Sequence, residues 1–360
     1  MRQQLLSSQW YPATAKVPQT CFTFRLLEHF HMMTLVGKIT SYDYYRGLEK
    51  LTNNAGSFPF KNRYDSFRRV TREWCHLKSL KRGGRGNDGI RAIEQTTPGE
   101  LAVLCPACPR ESVNLPENWM RADRKKRFLY TLFLAVDACF RLKRKMVSSE
   151  VLDPGFGTGW SYMVPDEPYR RYLLEMTSAT ELPEEQKPRS LPDFQFVIPK
   201  LHIYGHTTDC QLKYSLNYAP GVGRTDGEGV ERNWAGQGPI ATSTTEMGPG
   251  SRHDALDDHW GSWNWQKLLG LGVLLSRRLK LASEWRDKQE AMYRSFTLNQ
   301  AAHVPQWQQM VEEYEEDPTK PNPYEYDKEG ITIQEVRAQL SAEELAKTPH
   351  GPSNEPSQLM

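Results

Sequence analysis

The chain has 360 residues, 38% hydrophobic and 25% charged, with a formal net charge of +2. That length accommodates two or three domains with a buried core. No apolar run approaches the roughly 18 residues of a membrane span, and no signal-type stretch opens the chain. Neither a membrane nor a secreted protein is expected, and a nuclear or cytoplasmic one is. Six cysteines without a secretory signal fit a reducing compartment. The small net charge conceals a strong asymmetry. Residues 61–91 carry ten Lys/Arg against three Asp/Glu, residues 121–145 carry nine against two, and residues 311–346 carry eleven acids against three bases. Basic clusters of this density attract polyanions, DNA foremost, although each alone also fits a solvated charged face.

Taken in chain order, the first 82 residues read as mostly helical. Phe22, Leu26, Leu27, Phe30 and Met33 share one helical face. Tyr45, Leu48 and Leu51, then Phe67, Val70 and Trp74, repeat the pattern on either side of a Gly/Pro break near Gly56–Pro59. The run from Lys81 to Gly89 is a basic glycine-rich linker, with no strand–glycine–helix context for a phosphate cradle. Leu101–Pro109 reads as a short strand entering a turn. Phe128–Val136 is aromatic and apolar throughout, as expected of a buried central strand ending at Asp137. Residues 176–193 form a Pro/Glu/Ser-rich linker, and Phe194–Ile198 is a second strand candidate. Gly221–Gly229 is a turn leading into a helix that starts near Glu228. A long helix is expected over 264–296, with Leu268, Leu271, Leu275, Leu279 and Trp285 near one stripe. The acidic, mostly disordered tail beyond Pro305 holds one more short helix around 332–346.

Three constellations carry chemistry. Asp137, at a strand end, and Glu228 with Glu231, three apart on a helix, are the residue types that hold divalent ions for phosphoryl transfer; Mg²⁺ suits such oxygen ligands. From spacing alone an ordinary acidic surface explains them as well. Cys105 and Cys108 are either half of a Zn²⁺ site without a second pair, or a turn with two thiols. His202, His206 and Cys210 would align on a helix as a Zn²⁺ half-site, but their surroundings read as strand and turn, where a phosphate contact is equally reasonable. No hydrolase elbow, phosphate loop or dinucleotide fingerprint occurs, and no small-molecule substrate is expected.

At these residues the chain resembles a known family. The motifs Gly99-Glu-Leu-Ala-Val-Leu-Cys-Pro-Ala-Cys-Pro109, Tyr130-Thr-Leu-Phe-Leu-Ala-Val-Asp-Ala-Cys-Phe-Arg-Leu-Lys-Arg-Lys145, Pro220–Trp234 and Ala241–His259 resemble the Kyakuja–Dileera–Zisupton (KDZ) transposases, abundant in mushroom-forming fungi. Gln9–Thr14 and Thr20–Phe24 look like the tail of the cysteine-cluster domain that accompanies them. The resemblance runs from about residue 4 to 346. It implies a ribonuclease-H-like core with two aspartates and a glutamate, Asp137 matching the first aspartate and either Glu228 or Glu231 the glutamate. The family's second aspartate, in a Tyr-Asp-Ile-Ala-Cys type motif, has no counterpart. About a hundred expected residues are missing where Thr177–Thr180 passes to Glu181, and the cluster's metal-binding cysteines are missing upstream. Asp193 and Asp209 are the substitutes in principle, but neither follows a suitable strand.

The resulting expectation is a mixed α/β (α+β) fold. Residues 1–98 are a helical region with the cysteine-cluster tail, 99–262 an incomplete ribonuclease-H-like core, 263–304 a C-terminal helix and 305–360 the acidic tail. The expected function is that of a transposase derivative without strand-transfer activity. Ancestral Mg²⁺ ligands would be Asp137 and Glu231, and DNA would be held by Arg124, Lys125, Lys126, Arg127, Arg141, Lys143, Arg144 and Lys145. An active DDE-type enzyme and a protein-interaction module are the alternatives.

Overall fold

A computed structural model describes residues 1–89, 93–137, 139–156, 161–163, 167, 169–171, 195–325, 336–337 and 339–343. The chain divides into two units, Met1–Glu284 and Trp285–Met360. The fold is mixed but mostly helical, and the one sheet among the described residues has two strands.

In the first unit, helix α1 (Arg2–Ser7) leads into an antiparallel pair, β1 (Trp10–Pro12) and β2 (Cys21–Thr23), in the register Trp10↔Thr23, Tyr11↔Phe22, Pro12↔Cys21. Thr23 ends the strand and starts α2 (Phe24–Gly37), its hydroxyl accepting the Leu26 N–H at 3.2 Å. Thr40 does the same for α3 (Ser41–Asn53), accepting from Asp43 N at 3.0 Å. These hydroxyls satisfy amide donors that the first helical turn leaves open. The Gly/Pro segment then separates α3 from α4 (Tyr64–Arg82). The predicted faces close on one another: Leu27 and Phe30 of α2, Tyr45 of α3, and Phe67 and Val70 of α4 form a core with Ala13. Aromatic edges line it, Phe30–Phe67 at 5.4 Å and Phe22–Phe67 at 5.6 Å, both T-shaped.

The chain returns to this module through α5 (Thr208–Lys213), α6 (Gly229–Gln237), α7 (Ala241–Thr245) and α8 (Pro249–Leu269), and α8 packs along α4. Gly250 lets the Asp153–Gly155 segment lie directly against the start of α8. Its N–H donates to Asp153 O at 3.0 Å, and a Cβ there would overlap backbone atoms of Asp153, Pro154 and Gly155. Gly250→Ala is expected to cost about 1–3 kcal/mol through overpacking. The denaturation midpoint measures it, with Gly229→Ala, where a Cβ meets open space, as the comparison.

Helix α9 (Leu271–Asn299) follows Gly270 directly. In the second unit α10 (Val304–Glu316) folds onto the end of α9: Trp307 stacks with Phe296 at 6.0 Å, and Gln308 Nε2 donates to the Tyr293 hydroxyl at 2.8 Å. Among the described residues no helix is long and apolar enough to cross a membrane.

Four expectations need correction. Phe128–Val136 is not a buried strand. Phe128–Tyr130 closes a 3₁₀ turn spanning Arg124–Tyr130, and residues 131–137 are irregular, with Leu134 70% and Val136 94% exposed. A strand needs a neighbour for its amides and carbonyls, and none lies beside it among the described residues. Leu101–Pro109 is a set of turns: Pro106 and Pro109 lack N–H groups, and Asn114 Nδ2 donates to the carbonyls of Pro106 (3.0 Å) and Cys108 (2.8 Å). Of Phe194–Ile198, Phe194 lies outside the described residues, and Ile198 makes one isolated parallel bridge, to Ser215. The long helix is two helices meeting at Gly270, the first starting fifteen residues earlier than expected, at Pro249, and Leu275 and Leu279 are exposed. The linker at 176–193 and the Thr180–Glu181 junction lie outside the described residues, as does most of the helix expected at 332–346, of which 336–337 and 339–343 are helical.

Candidate functional site

Three separate segments meet beside the N-terminus of α6. Glu228 is the residue that precedes the helix, and Glu231 lies in its first turn. The approach to them is set by Gly227, at φ +78°, where a Cβ would stand 3.0 Å from both Cα and Cβ of Pro199. That close contact brings the Pro199–Gly205 turn against the helix start, with Lys200 N donating to Asp226 O at 2.9 Å. Glu228 is buried: Oε1 accepts the Leu201 N–H at 3.0 Å, and Oε2 has no hydrogen-bond partner. His202 bridges the two acids, Nδ1 3.6 Å from Glu228 Oε2 and Nε2 3.7 Å from Glu231 Oε1. Asp137, from the irregular segment 131–137, completes the group. Asp137, His202 and Glu231 each bring one ligand atom within 4.8 Å of the others.

Arg232 and Asp226 brace the site. Arg232 donates to both Asp226 oxygens, at 2.9 and 3.2 Å, and with the Glu228 N–H holds that carboxyl below its ordinary range. Asp226 therefore stays ionised as a structural anion and leaves Glu228 and Glu231 to face His202. Two carboxylates and an imidazole fit a divalent ion, with the mixed N/O donors favouring Zn²⁺ or Mn²⁺ over an all-oxygen Mg²⁺ shell. The orphaned Oε2 of Glu228 is a further oxygen on the same histidine.

Of the other predicted residues, Cys105 is exposed and Cys108 partly buried. Against a desolvation cost, the Cys108 thiol and the backbone amides of Ala107 and Cys108 hold the Cys105 thiol below its ordinary value. Among the described residues neither joins a metal-competent group of three. His206 and Cys210 stay outside the cluster that holds His202, because the chain between them is a 3₁₀ turn, a break and then α5, not one helix. Asp209 pairs with Lys213 at 3.2 Å, and Asp193 lies outside the described residues. Lys125, Lys126, Arg127, Arg141, Lys143, Arg144 and Lys145 are exposed, and Arg124 opens the 3₁₀ turn. Lys145 forms an ion pair with Glu246, and its N–H donates to Thr245 O at 3.0 Å. Arg252 donates to Leu142 O at 2.6 Å. The 141–145 segment is thus tied to α7 and the start of α8.

Comparison with known families matches two segments. Residues 175–264 match the model of the Kyakuja-Dileera-Zisupton transposase, and residues 1–56 match the CxC2 like cysteine cluster associated with KDZ transposases. The chain thus carries one segment similar to a KDZ transposase and one similar to the cysteine cluster associated with these transposases. No curated protein and no solved structure matches it. Glu228, Glu231 and His202 lie inside the KDZ-matched segment, whereas Asp137 lies between the two matched segments.

The KDZ-matched segment also ends in a polar helix face that the sequence motifs contain but whose role they do not reveal. Asp254, Asp257 and Asp258 recur at i, i+3, i+4 on α8, so they share one side. Asp254 pairs with Arg72 at 2.6 Å. Asp257 accepts the N–H groups of Ser161 (3.0 Å) and Tyr162 (2.8 Å), and burial pushes its carboxyl up despite them. Asp258 bonds His31 at 2.8 Å, and His259 bonds Ala255 O and Thr34 O. The signal was an acidic i, i+3, i+4 pattern that an exposed face would equally explain.

Proposed function

We propose that this chain is a transposase-derived DNA-binding protein with an incomplete ribonuclease-H-like core, and that it no longer cuts or joins DNA. The observation that carries the reading is the meeting of Asp137 with Glu231 and His202, residues from three distant segments converging where a phosphoryl-transfer site needs acids. Two-metal catalysis needs carboxylates that bridge both ions and fix attacking and leaving oxygens in line. Two carboxylates and an imidazole supply ligands for one ion and lack the bridging aspartate. Asp137 and Glu231 would hold that ion, which would supply positive charge for a phosphate. His202 has a ring nitrogen 3.6–3.7 Å from each glutamate, so it lies beside both carboxylates.

The exposed basic residues at 125–127 and 141–144 support the DNA-binding part, since phosphate contacts need accessible cations. Such binding falls steeply with salt. Replacing Lys125, Lys126 and Arg127 with alanine is expected to lower the slope of log affinity against log salt by up to about 0.9 per lost contact on duplex DNA. Fluorescence anisotropy across a salt series measures it, and equal loss on unrelated sequences is expected.

The test of the inactive core is a cleavage and strand-transfer assay with Mg²⁺ or Mn²⁺, comparing the natural chain with Asp137→Ala. No metal-dependent product from either is expected. Metal-dependent cleavage that Asp137→Ala abolishes would overturn the reading. It would favour a second one, an active DDE-type enzyme in which Glu228 supplies the missing carboxylate; the buried, unpartnered Oε2 beside His202 is what favours it. Sequencing the transcript across Thr180–Glu181 separates a true deletion from a gene-model error.

A further inference from the structure

We propose that His31, Cys75 and Asp258 form a structural zinc site that fastens the cysteine-cluster-matched helix to the transposase-matched helix through α4. One ligand atom from each residue lies within 4.8 Å of the others. His31 is wholly buried and Asp258 only 3% exposed. Asp258 Oδ2 meets His31 Nε2 at 2.8 Å, and the Cys75 thiol hydrogen-bonds to the same carboxyl. Two buried polar atoms remain without hydrogen bonds, Asp258 Oδ1 and His31 Nδ1. Arg82 stands 3.9 Å from Oδ1, too far for more than a weak charge contact. A protein interior rarely tolerates an orphaned carboxylate oxygen such as Asp258 Oδ1 unless something unseen satisfies it.

The donor set selects the cation. Thiolate, imidazole and carboxylate together are the ligands of Zn²⁺, at about 2.0–2.3 Å each, which places tetrahedral donors about 3.3–3.8 Å apart. The cluster needs only a small opening of the His31–Asp258 contact to reach that spacing. Mg²⁺ and Ca²⁺ take oxygen ligands and would reject the sulfur. Thiolate and carboxylate together cancel the ion's charge, so a filled site is neutral in its buried setting. Burial of two ligands closes the site to substrate, hence a structural role. The gain is large in topology: His31 and Asp258 are 227 residues apart, and a metal that clips such distant segments removes much unfolded-chain freedom. This site is distinct from Asp137–His202–Glu231 and does not depend on the function proposed above.

The experiment loads the metal-free full chain with Co²⁺ as a spectroscopic probe and then with Zn²⁺. The expected result is a thiolate-to-cobalt charge-transfer band that survives Cys105→Ser, Cys108→Ser and Asp137→Ala but is lost in Cys75→Ser, together with a zinc-dependent rise in melting temperature. No band in the natural chain, or one that persists in Cys75→Ser, overturns the proposal. Zinc-edge absorption of the natural chain gives a readout independent of any variant. A sphere with one sulfur among nitrogen and oxygen ligands supports the site, and two sulfurs or none overturns it.

Discussion

Phe67→Ala is expected to destabilise the N-terminal helical module by about 3–5 kcal/mol, the usual cost of emptying a buried phenylalanine site. Phe67 has no exposed surface and touches rings from three other elements: Phe22 at 5.6 Å, Phe30 at 5.4 Å, Tyr44 at 5.8 Å and Tyr45 at 5.7 Å. These neighbours are themselves held by β2, α2 and α3, so collapse into the cavity would have to move three elements at once. A domain's whole stability is about 5–15 kcal/mol, and the loss therefore falls close to the unfolding threshold. Urea denaturation followed by tryptophan fluorescence is the measurement. Val36→Ala, on α2 of the same module but 82% exposed, is expected to change stability by less than about 0.5 kcal/mol. Equal effects from the two substitutions would mean that the aromatic cluster does not hold the module together.

The same cluster shows what the sequence made legible. Leu27, Phe30, Tyr45, Phe67 and Val70 were readable as core because helical spacing carries its own geometry: three or four residues apart means the same face. The turn before α6 was readable for a similar local reason, since glycines at 221, 223 and 227 adopt positive φ and Glu228 then opens the helix. The strand expected at 128–136 fails because apolarity marks a tendency to be buried, not a partner, and pairing is a long-range property. Of the candidate site, Asp137, Glu228 and Glu231 were singled out individually, but His202 was read with His206 and Cys210, along the chain. Only folding joins it to acids 65 residues upstream and 26 to 29 downstream. The polar face of α8 was hidden for the opposite reason: Asp254, Asp257 and Asp258 look like ordinary solvated acids until α4, the Ser161–Tyr162 segment and α2 respectively supply their partners.

That covered face yields the second large effect, at Arg72. Its guanidinium holds Asp153 at 2.9 Å and Asp254 at 2.6 Å, donates to Pro154 O at 2.6 Å, and lies 5.0 Å over the Phe156 ring, on which His76 also stacks at 4.8 Å. Arg72→Met keeps most of the apolar stem but leaves two shielded carboxylates without their cation, at an expected cost of about 2–4 kcal/mol at pH 7. The pH dependence separates charge from packing. Against its desolvation, Asp153 is held below its ordinary 3.8 by Ser251 and Arg72. A depressed carboxyl contributes stability that is present above 3.8 and lost as pH falls through the lower folded value. His76 is pushed below its ordinary 6.5, chiefly by burial and also by Arg72. Its neutral form is favoured in the fold, so stability is lost as pH falls from 6.5 through the lowered value. Removing Arg72 weakens both dependences: Asp153 loses a stabilising charge, and His76 loses a repelling one. The gap between natural chain and variant is therefore expected to be widest at pH 7 and to narrow in urea titrations at pH 5 and pH 3. A gap that stays constant across that range would show that Arg72 acts through its stem on Phe156, not through its charge.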